Sequence, residues 1–234
     1  MKKRVLAVIL TMAVLGILTA CGEKNTAGGE KTDSTIRTKD TLEQGNKAEQ
    51  TVSAGGKVLV AYFAVAENSD VDAISSASVS DVDGETKGRM TALAEMIQEK
   101  TGGELFSIKT SVRYPGDGGK LIEYAQKEQD KDERPELTSH IDNLDDYSVI
   151  FIGFPTWWYD LPQVMYSFFD EYDFSGKTII PFNSHNGSQF SGTIETIQEM
   201  EPDATVITDG FTVNERDVPD AKDEIDMWLG DLGY

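Results

Sequence analysis

The chain has 234 residues, with 21 Lys and Arg against 41 Asp and Glu, a formal net charge of −20 and a pI near 4.4. Hydrophobic residues at 39% and charged residues at 26% exclude a disordered or polytopic membrane chain and fit an ordinary globule with a sizeable core. The acid excess argues against a nucleic-acid partner, since binding a polyanion needs clustered cations to displace its counterions, and points instead to a basic or small-molecule partner.

Lys2, Lys3 and Arg4 precede an apolar run from Val5 to Leu18 that ends in Leu18-Thr19-Ala20-Cys21. A charged start, a short apolar stretch and a small-residue end make residues 1–20 a secretory signal, too short for a comfortable membrane span. The final tetrad resembles a bacterial lipobox, in which the chain is cut before the cysteine and the cysteine carries lipid. Cys21 is the single cysteine and can form no internal disulfide. Lipidation there predicts an extracytoplasmic protein anchored on the outer face of the bacterial cytoplasmic membrane; an ordinary cleaved signal with an incidental cysteine is the plainer alternative. After Cys21, residues up to 56 hold almost no large apolar side chains and no period, which predicts a flexible tether with a span on the order of 30 Å. Residues 57–234 carry a net −22, so the acid sits on the expected domain.

From residue 57 the pattern alternates strand and helix. The run 57–63 is nearly continuous in apolar residues and predicts a strand covered on both faces. A helix is predicted over 88–103, with Met90, Leu93, Ala94 and Ile97 on one face and Gly102-Gly103 as its stop. Strand 104–109, helix 118–133, strand 147–154, helix 162–172, strand 177–182, helix 192–200, strand 204–211 and helix 220–232 follow. Five strands alternating with five helices predict an α/β domain with a parallel sheet and helices on both faces. In such sheets ligands bind beyond the carboxyl ends of the strands.

Two loops carry chemistry. The loop after the third strand, Gly153-Phe154-Pro155-Thr156-Trp157-Trp158-Tyr159-Asp160-Leu161-Pro162, sets three aromatic rings in a row, costly in a loop unless something flat covers them. The loop after the fourth strand, Asn183-Ser184-His185-Asn186-Gly187-Ser188-Gln189-Phe190-Ser191-Gly192, is rich in small and hydrogen-bonding residues, so its backbone can approach a planar, heteroatom-rimmed ligand. With the run Asp173 to Phe182 between them, these motifs resemble the flavodoxin family, and more closely its members with a tryptophan-bearing second loop, found among bacterial quinone and flavin oxidoreductases. The resemblance spans 57–234 and implies a doubly wound five-stranded sheet in the order 2-1-3-4-5, binding FMN without a covalent bond. By the matching motifs, Pro155, Thr156, Trp157, Trp158 and Tyr159 would lie against one side of the flavin ring, and Asn183, Ser184, His185, Asn186, Gly187 and Ser188 would rim the other edge.

The first loop departs from the family pattern. Flavodoxins leave strand one through a short hydroxyl-rich turn that wraps the FMN phosphate at a helix N-terminus, whereas here more than twenty residues follow Tyr62-Phe63-Ala64. The family's Gly-Asn-Thr end matches Gly88-Arg89-Met90, so a thioether replaces the last hydroxyl. Thr86, Lys87, Gly88, Arg89 and Met90 form the expected phosphate segment, and the insertion reads as a lid or rim. Asp70, Asp72, Asp81 and Asp83 are expected on the solvent side.

Plainer readings stand beside these. The Trp157-Trp158 pair could pack the loop or an oligomer interface. His185 could cap the following helix or transfer a proton to reduced flavin or quinone. His140 reads as a surface residue, and no His/Cys cluster has metal-ligand spacing. Two functions of different class follow: an FMN redox protein, acting as carrier or as a quinone-type oxidoreductase, or a lipoprotein of the same fold that has lost the cofactor and serves as a binding module.

Overall fold

A computed structural model describes residues 56–234. The expected signal, Cys21 and all of the expected tether but its last residue lie outside the described residues.

The sheet is built from β1 (Lys57–Tyr62), β4 (Glu104–Ser107), β5 (Tyr147–Pro155), β6 (Thr178–His185), β7 (Thr205–Val206) and β8 (Phe211–Asn214), all paired in parallel. Its order is β4-β1-β5-β6, with β7 and β8 following one another along the far side of β6. Alternation of side chains explains why the central strands read as unbroken apolar runs. Leu59, Ala61, Ile150, Ile152 and Phe154 face one core with α2 (Gly118–Asp130), α3 (Gln163–Glu171) and α4 (Thr193–Met200). Val60, Tyr62, Phe151, Ile180 and Phe182 face the other with α1 (Arg89–Thr101) and α5 (Lys222–Asp231). A strand covered on both faces must be apolar at every position, and from Val149 to Pro155 all residues of β5 are buried. Gly153 has no side chain for a related reason: a Cβ there would come within 2.2 Å of the Phe182 ring on the neighbouring strand.

Helix ends follow local chemistry. Asp117 caps α2 by accepting from the Lys120 N–H at 2.9 Å, and α1 stops at Gly102, left-handed at φ 68°, whose N–H returns to the Gln98 carbonyl.

The structure corrects the expected single strand over 204–211. It forms only at Thr205–Val206 and resumes at Phe211–Asn214. The break lies opposite Pro181 of β6, which has no N–H for a ladder, and Gly210 approaches the Pro181 carbonyl so closely that a Cβ would sit 2.4 Å from it. Strand β6 also runs three residues past its expected end, which puts Asn183, Ser184 and His185 on the strand rather than in the loop. The insertion after β1 is ordered: two short 3-10 turns lead into an antiparallel hairpin of β2 (Val79–Val82) and β3 (Glu85–Gly88) that delivers the chain to α1.

Candidate functional site

A cavity of about 630 Å³ opens beyond the carboxyl ends of β5 and β6, within the size range of small-molecule sites. Six parts of the chain line it: Pro155 to Tyr159, Ser184 to Ser188, one face of α2 (Gly118, Leu121, Ile122, Ala125), Ala77 with Ser78, Arg89, and Glu215.

The aromatic wall is a tight two-residue turn. Trp157 and Asp160 exchange both backbone hydrogen bonds, at 3.0 and 2.9 Å, with Trp158 and Tyr159 at φ 48° and 65° between them. Such turns favour Asn-Gly, because side chains in the left-handed region cost about 1–2 kcal/mol each. Two bulky rings held there are strain of the kind that collects at ligand clamps. The surroundings enforce it: the Asp160 carboxylate accepts from Leu161 N–H (2.8 Å), Tyr166 hydroxyl (2.9 and 3.0 Å) and Gln129 Nε2 (3.4 Å). The three rings differ in their attachments. Trp157 packs edge-on against Phe63 and Tyr114, at 5.7 and 5.5 Å between centroids. Trp158 donates from Nε1 to the Ile122 carbonyl at 3.1 Å, tying the turn to α2. Tyr159 stands at the tip, 72% exposed.

The opposite wall is tied to the first. Thr156 donates its backbone N–H to the Ser184 carbonyl at 2.9 Å. Fully buried Asn183 donates from Nδ2 to Thr156 Oγ1 at 2.5 Å and to the Gln189 carbonyl at 3.0 Å. Gly187, at φ 103°, donates its N–H to His185 Nδ1 at 2.8 Å. That bond requires Nδ1 to be unprotonated, so the neutral ring carries its proton on Nε2. Burial lowers the His185 pKa, against the opposing pull of the Asp217 and Glu215 carboxylates. Nitrogen NMR is therefore expected to find the Nε2–H tautomer at pH 7 and a titration midpoint below the ordinary 6.5; an imidazolium at pH 7 would contradict this geometry.

Residues 86–90 do not gather in one place. Thr86 bonds to Asp81 across the hairpin, and Lys87 is held by Glu85 at 3.0 Å and Glu95 at 2.8 Å. Gly88 is the buried N-cap position of α1, where a Cβ would lie 2.9 Å from Thr91 Oγ1. Met90 is buried, its sulfur accepting from Ser184 Oγ at 3.3 Å. Of the five, Arg89 lines the cavity. Pro155 to Tyr159 and Ser184 to Ser188 line it together, with Asn183 buried behind them as the clamp. Among residues that sequence reasoning passed over, Ile122 lines the cavity as an apolar side chain 58% exposed on α2, an exposure that only the fold reveals. Ser78 and Glu215 had none, since only folding brings them to the cavity. His140 is an exposed partner of Glu171, and Asp70, Asp72, Asp81 and Asp83 are all exposed. No cluster of His, Cys, Asp and Glu among the described residues could hold a metal ion, and no described helix is long and apolar enough to cross a membrane.

The family model for flavodoxin matches residues 82–232. The chain belongs to the flavodoxin family. Among solved structures, this flavodoxin is similar to a Bacteroides uniformis protein named as a flavoprotein, at 25% identity and a TM-score of 0.59, covering 75% of this chain and 99% of that one. It is similar in fold to a Bacteroides eggerthii protein named likewise, at 24% identity and a TM-score of 0.54, covering 72% and 97%. A Lactobacillus acidophilus flavoprotein, whose structure is of a complex with FMN, is alike in fold at 21% identity and a TM-score of 0.50, covering 74% and 99%. No curated protein matches the chain. The family match begins inside the β2–β3 hairpin, so β1 and most of the insertion precede it.

Proposed function

We propose that this flavodoxin binds FMN without a covalent bond in the cavity between the Trp157–Asp160 turn and the Ser184–Ser188 segment, and works as a redox protein. The observation that carries the reading is the pair of aromatic side chains, Trp158 and Tyr159, held in left-handed backbone on the cavity wall. The residues fit the group: aromatic faces on one wall, the backbone amides of Asn186 and Ser188 with the Ser188 hydroxyl on the other, and a buried Asn183 Oδ1 with no partner behind them. When bound, the isoalloxazine ring supplies the redox chemistry, taking up hydride or single electrons. The protein's own residues do the rest. The turn covers a flat ring and excludes water, worth about 0.5–1.5 kcal/mol beyond area burial for each stacked pair. His185, with Nδ1 engaged by Gly187, keeps the Nε2 proton as its one donor. The net −22 of residues 57–234 disfavours further negative charge on the cofactor and steers basic partners at low salt.

Anchoring belongs to the same proposal. The lipobox-like Leu18-Thr19-Ala20-Cys21 and the polar tether support a lipoprotein on the outer face of the bacterial cytoplasmic membrane, passing electrons there either as a carrier or as a quinone-type oxidoreductase. The deciding experiment is titration of the purified full chain with FMN. Bound flavin should survive gel filtration and show its visible absorption bands; a colourless protein would leave the cofactor-free binding module. Turnover with NAD(P)H and a quinone separates enzyme from carrier.

A further inference from the structure

The cavity has two sides of different chemistry. FMN, on the reading above, takes the turn and the Ser184–Ser188 segment, where amides and hydroxyls can meet the heteroatoms that rim a flavin. The α2 side holds Ala77, Gly118, Leu121, Ile122 and Ala125, none with a hydrogen-bonding side chain. The Ile122 carbonyl already accepts from Trp158 Nε1 at 3.1 Å. A heteroatom edge turned toward this wall would give up its hydrogen bonds to water and regain few of them. The wall suits a ligand with little polar surface. Ser78, next after Ala77, adds a single hydroxyl.

This side is held firmly. The insertion is stitched to the segment before α2: the Asp70 N–H donates to the Tyr114 carbonyl at 2.9 Å, the Tyr114 N–H to the Asn68 carbonyl at 2.7 Å, and the Gly116 N–H to Asp70 Oδ1 at 2.8 Å. Val71 packs so closely on Gly116 that a Cβ there would lie 2.4 Å from it. Of the six exposed large hydrophobic side chains among the described residues, Ile122, Trp158 and Tyr159 line the cavity, and Val71 and Ile74 belong to the segment that leads to Ala77. Apolar surface gathered in this way marks a binding site. Charge narrows the ligand further. Among the lining residues Arg89 and Glu215 bear the formal charges, and they are spent on each other at 2.7 Å. In a domain of net charge −22 an anion would meet repulsion and no uncommitted cation on the wall, whereas a neutral ligand meets neither difficulty.

We propose that the α2 side of the cavity is a second binding compartment, beside that of FMN, for a neutral, planar, apolar ligand of the quinone class. Leu121, Ile122 and Ala125 supply the apolar wall, the insertion closes it through Ala77, and the Ser78 hydroxyl serves a ring carbonyl. This rests on the FMN reading above.

The test is titration calorimetry of the FMN-loaded, oxidised full chain with duroquinone, a neutral quinone with no open ring position for a thiol. Duroquinone should bind, with an affinity within about twofold of that for the FMN-free chain, because the two ligands occupy different sides. Ile122→Asn, at an exposed helix position whose backbone carbonyl stays in place for Trp158, should weaken duroquinone by about fivefold or more and leave FMN within about twofold. Ile122→Met keeps an apolar side chain of similar volume and should bind duroquinone within about twofold of wild type. Anthraquinone sulfonate, larger and equally flat but anionic, should bind at least about tenfold more weakly than duroquinone at low ionic strength. Absence of duroquinone binding, its exclusion by FMN, indifference to Ile122→Asn, equal weakening by Ile122→Met, or an anionic quinone bound as tightly as duroquinone would each overturn the inference while leaving the flavin site in place. Failure of wild type to hold FMN overturns this inference and the FMN reading together.

Discussion

Trp157→Ala is expected to cost the fold about 3 kcal/mol, while Tyr159→Gly is expected to stabilise it and to lose flavin. The two rings are two residues apart on one turn, yet they are attached to different things. Trp157 fills the space between Phe63 and Tyr114, both fully buried, and truncating it leaves a hole beside the main core. Removing a buried Trp side chain costs about 3–5 kcal/mol, and partial exposure puts this one at the lower end. For a domain of this size that lowers the unfolding midpoint by roughly 6–12 °C. Tyr159, in contrast, is 72% exposed at φ 65°. Glycine there gives up little packing and removes a left-handed side chain, a gain of up to about 1 kcal/mol. On the proposed function the same change strips a ring from the cavity wall and should weaken FMN by about tenfold. Thermal unfolding without ligand, followed by fluorescence titration, measures both. If Tyr159→Gly bound FMN as wild type does, the turn would be no flavin clamp.

Glu128→Gln should raise stability at pH 8 by about 2 kcal/mol and leave it unchanged at pH 4. Glu128 lies on α2 one turn beyond Ala125, buried, with the Tyr114 hydroxyl 3.2 Å from its Oε1. Burial pushes its pKa from 4.5 up to about 7, with Glu133 adding to the rise and the Tyr114 hydrogen bond opposing it. Below 4.5 both folded and unfolded states hold the proton, and nothing is at stake. Between 4.5 and 7 the unfolded chain releases it while the folded chain keeps it, so stability falls as pH rises; above 7 the loss is complete. The full shift corresponds to about 3 kcal/mol, reduced to about 2 by residual solvent screening. Glutamine still accepts from Tyr114 and has no proton to lose. Denaturant unfolding at pH 4, 6 and 8 should show wild type and variant diverging across that window. Parallel curves would mean that Glu128 is ionised at little cost in the fold. Glu201, raised to about 7 chiefly by burial, bends both curves the same way and cancels in the difference.

Glu128 also matters for position. Its partner Tyr114 is the ring against which Trp157 leans, so one buried carboxyl supports the aromatic wall from behind. Neither residue carried a signal of this in the sequence. A glutamate near the end of a charged helix reads as solvated, and only the packing of α2 against the core turns it inward.

Much of the remainder was legible. Strands β1 and β5 announced themselves because a strand covered on both faces has no polar position to disguise it. The end of α1 at Gly102 was written in capping chemistry that acts within a few residues. The aromatic turn was found as a candidate because three adjacent rings are costly in a loop without a flat ligand, and the Ser184–Ser188 segment because its small and hydrogen-bonding residues let the backbone approach one. Local interactions, periodicity and contiguous motifs are properties of neighbouring residues, so the amino-acid order by itself determined the element sequence, the α/β class and two walls of the cavity. It did not determine which ring is core and which is clamp, where Pro181 would interrupt the strand alongside it, or that Lys87 would be spent on Glu85 and Glu95 while Arg89 met Glu215, 126 positions away. Those outcomes depend on which side chains compete for the same few ångströms, and that competition exists only once the sheet has brought distant segments together.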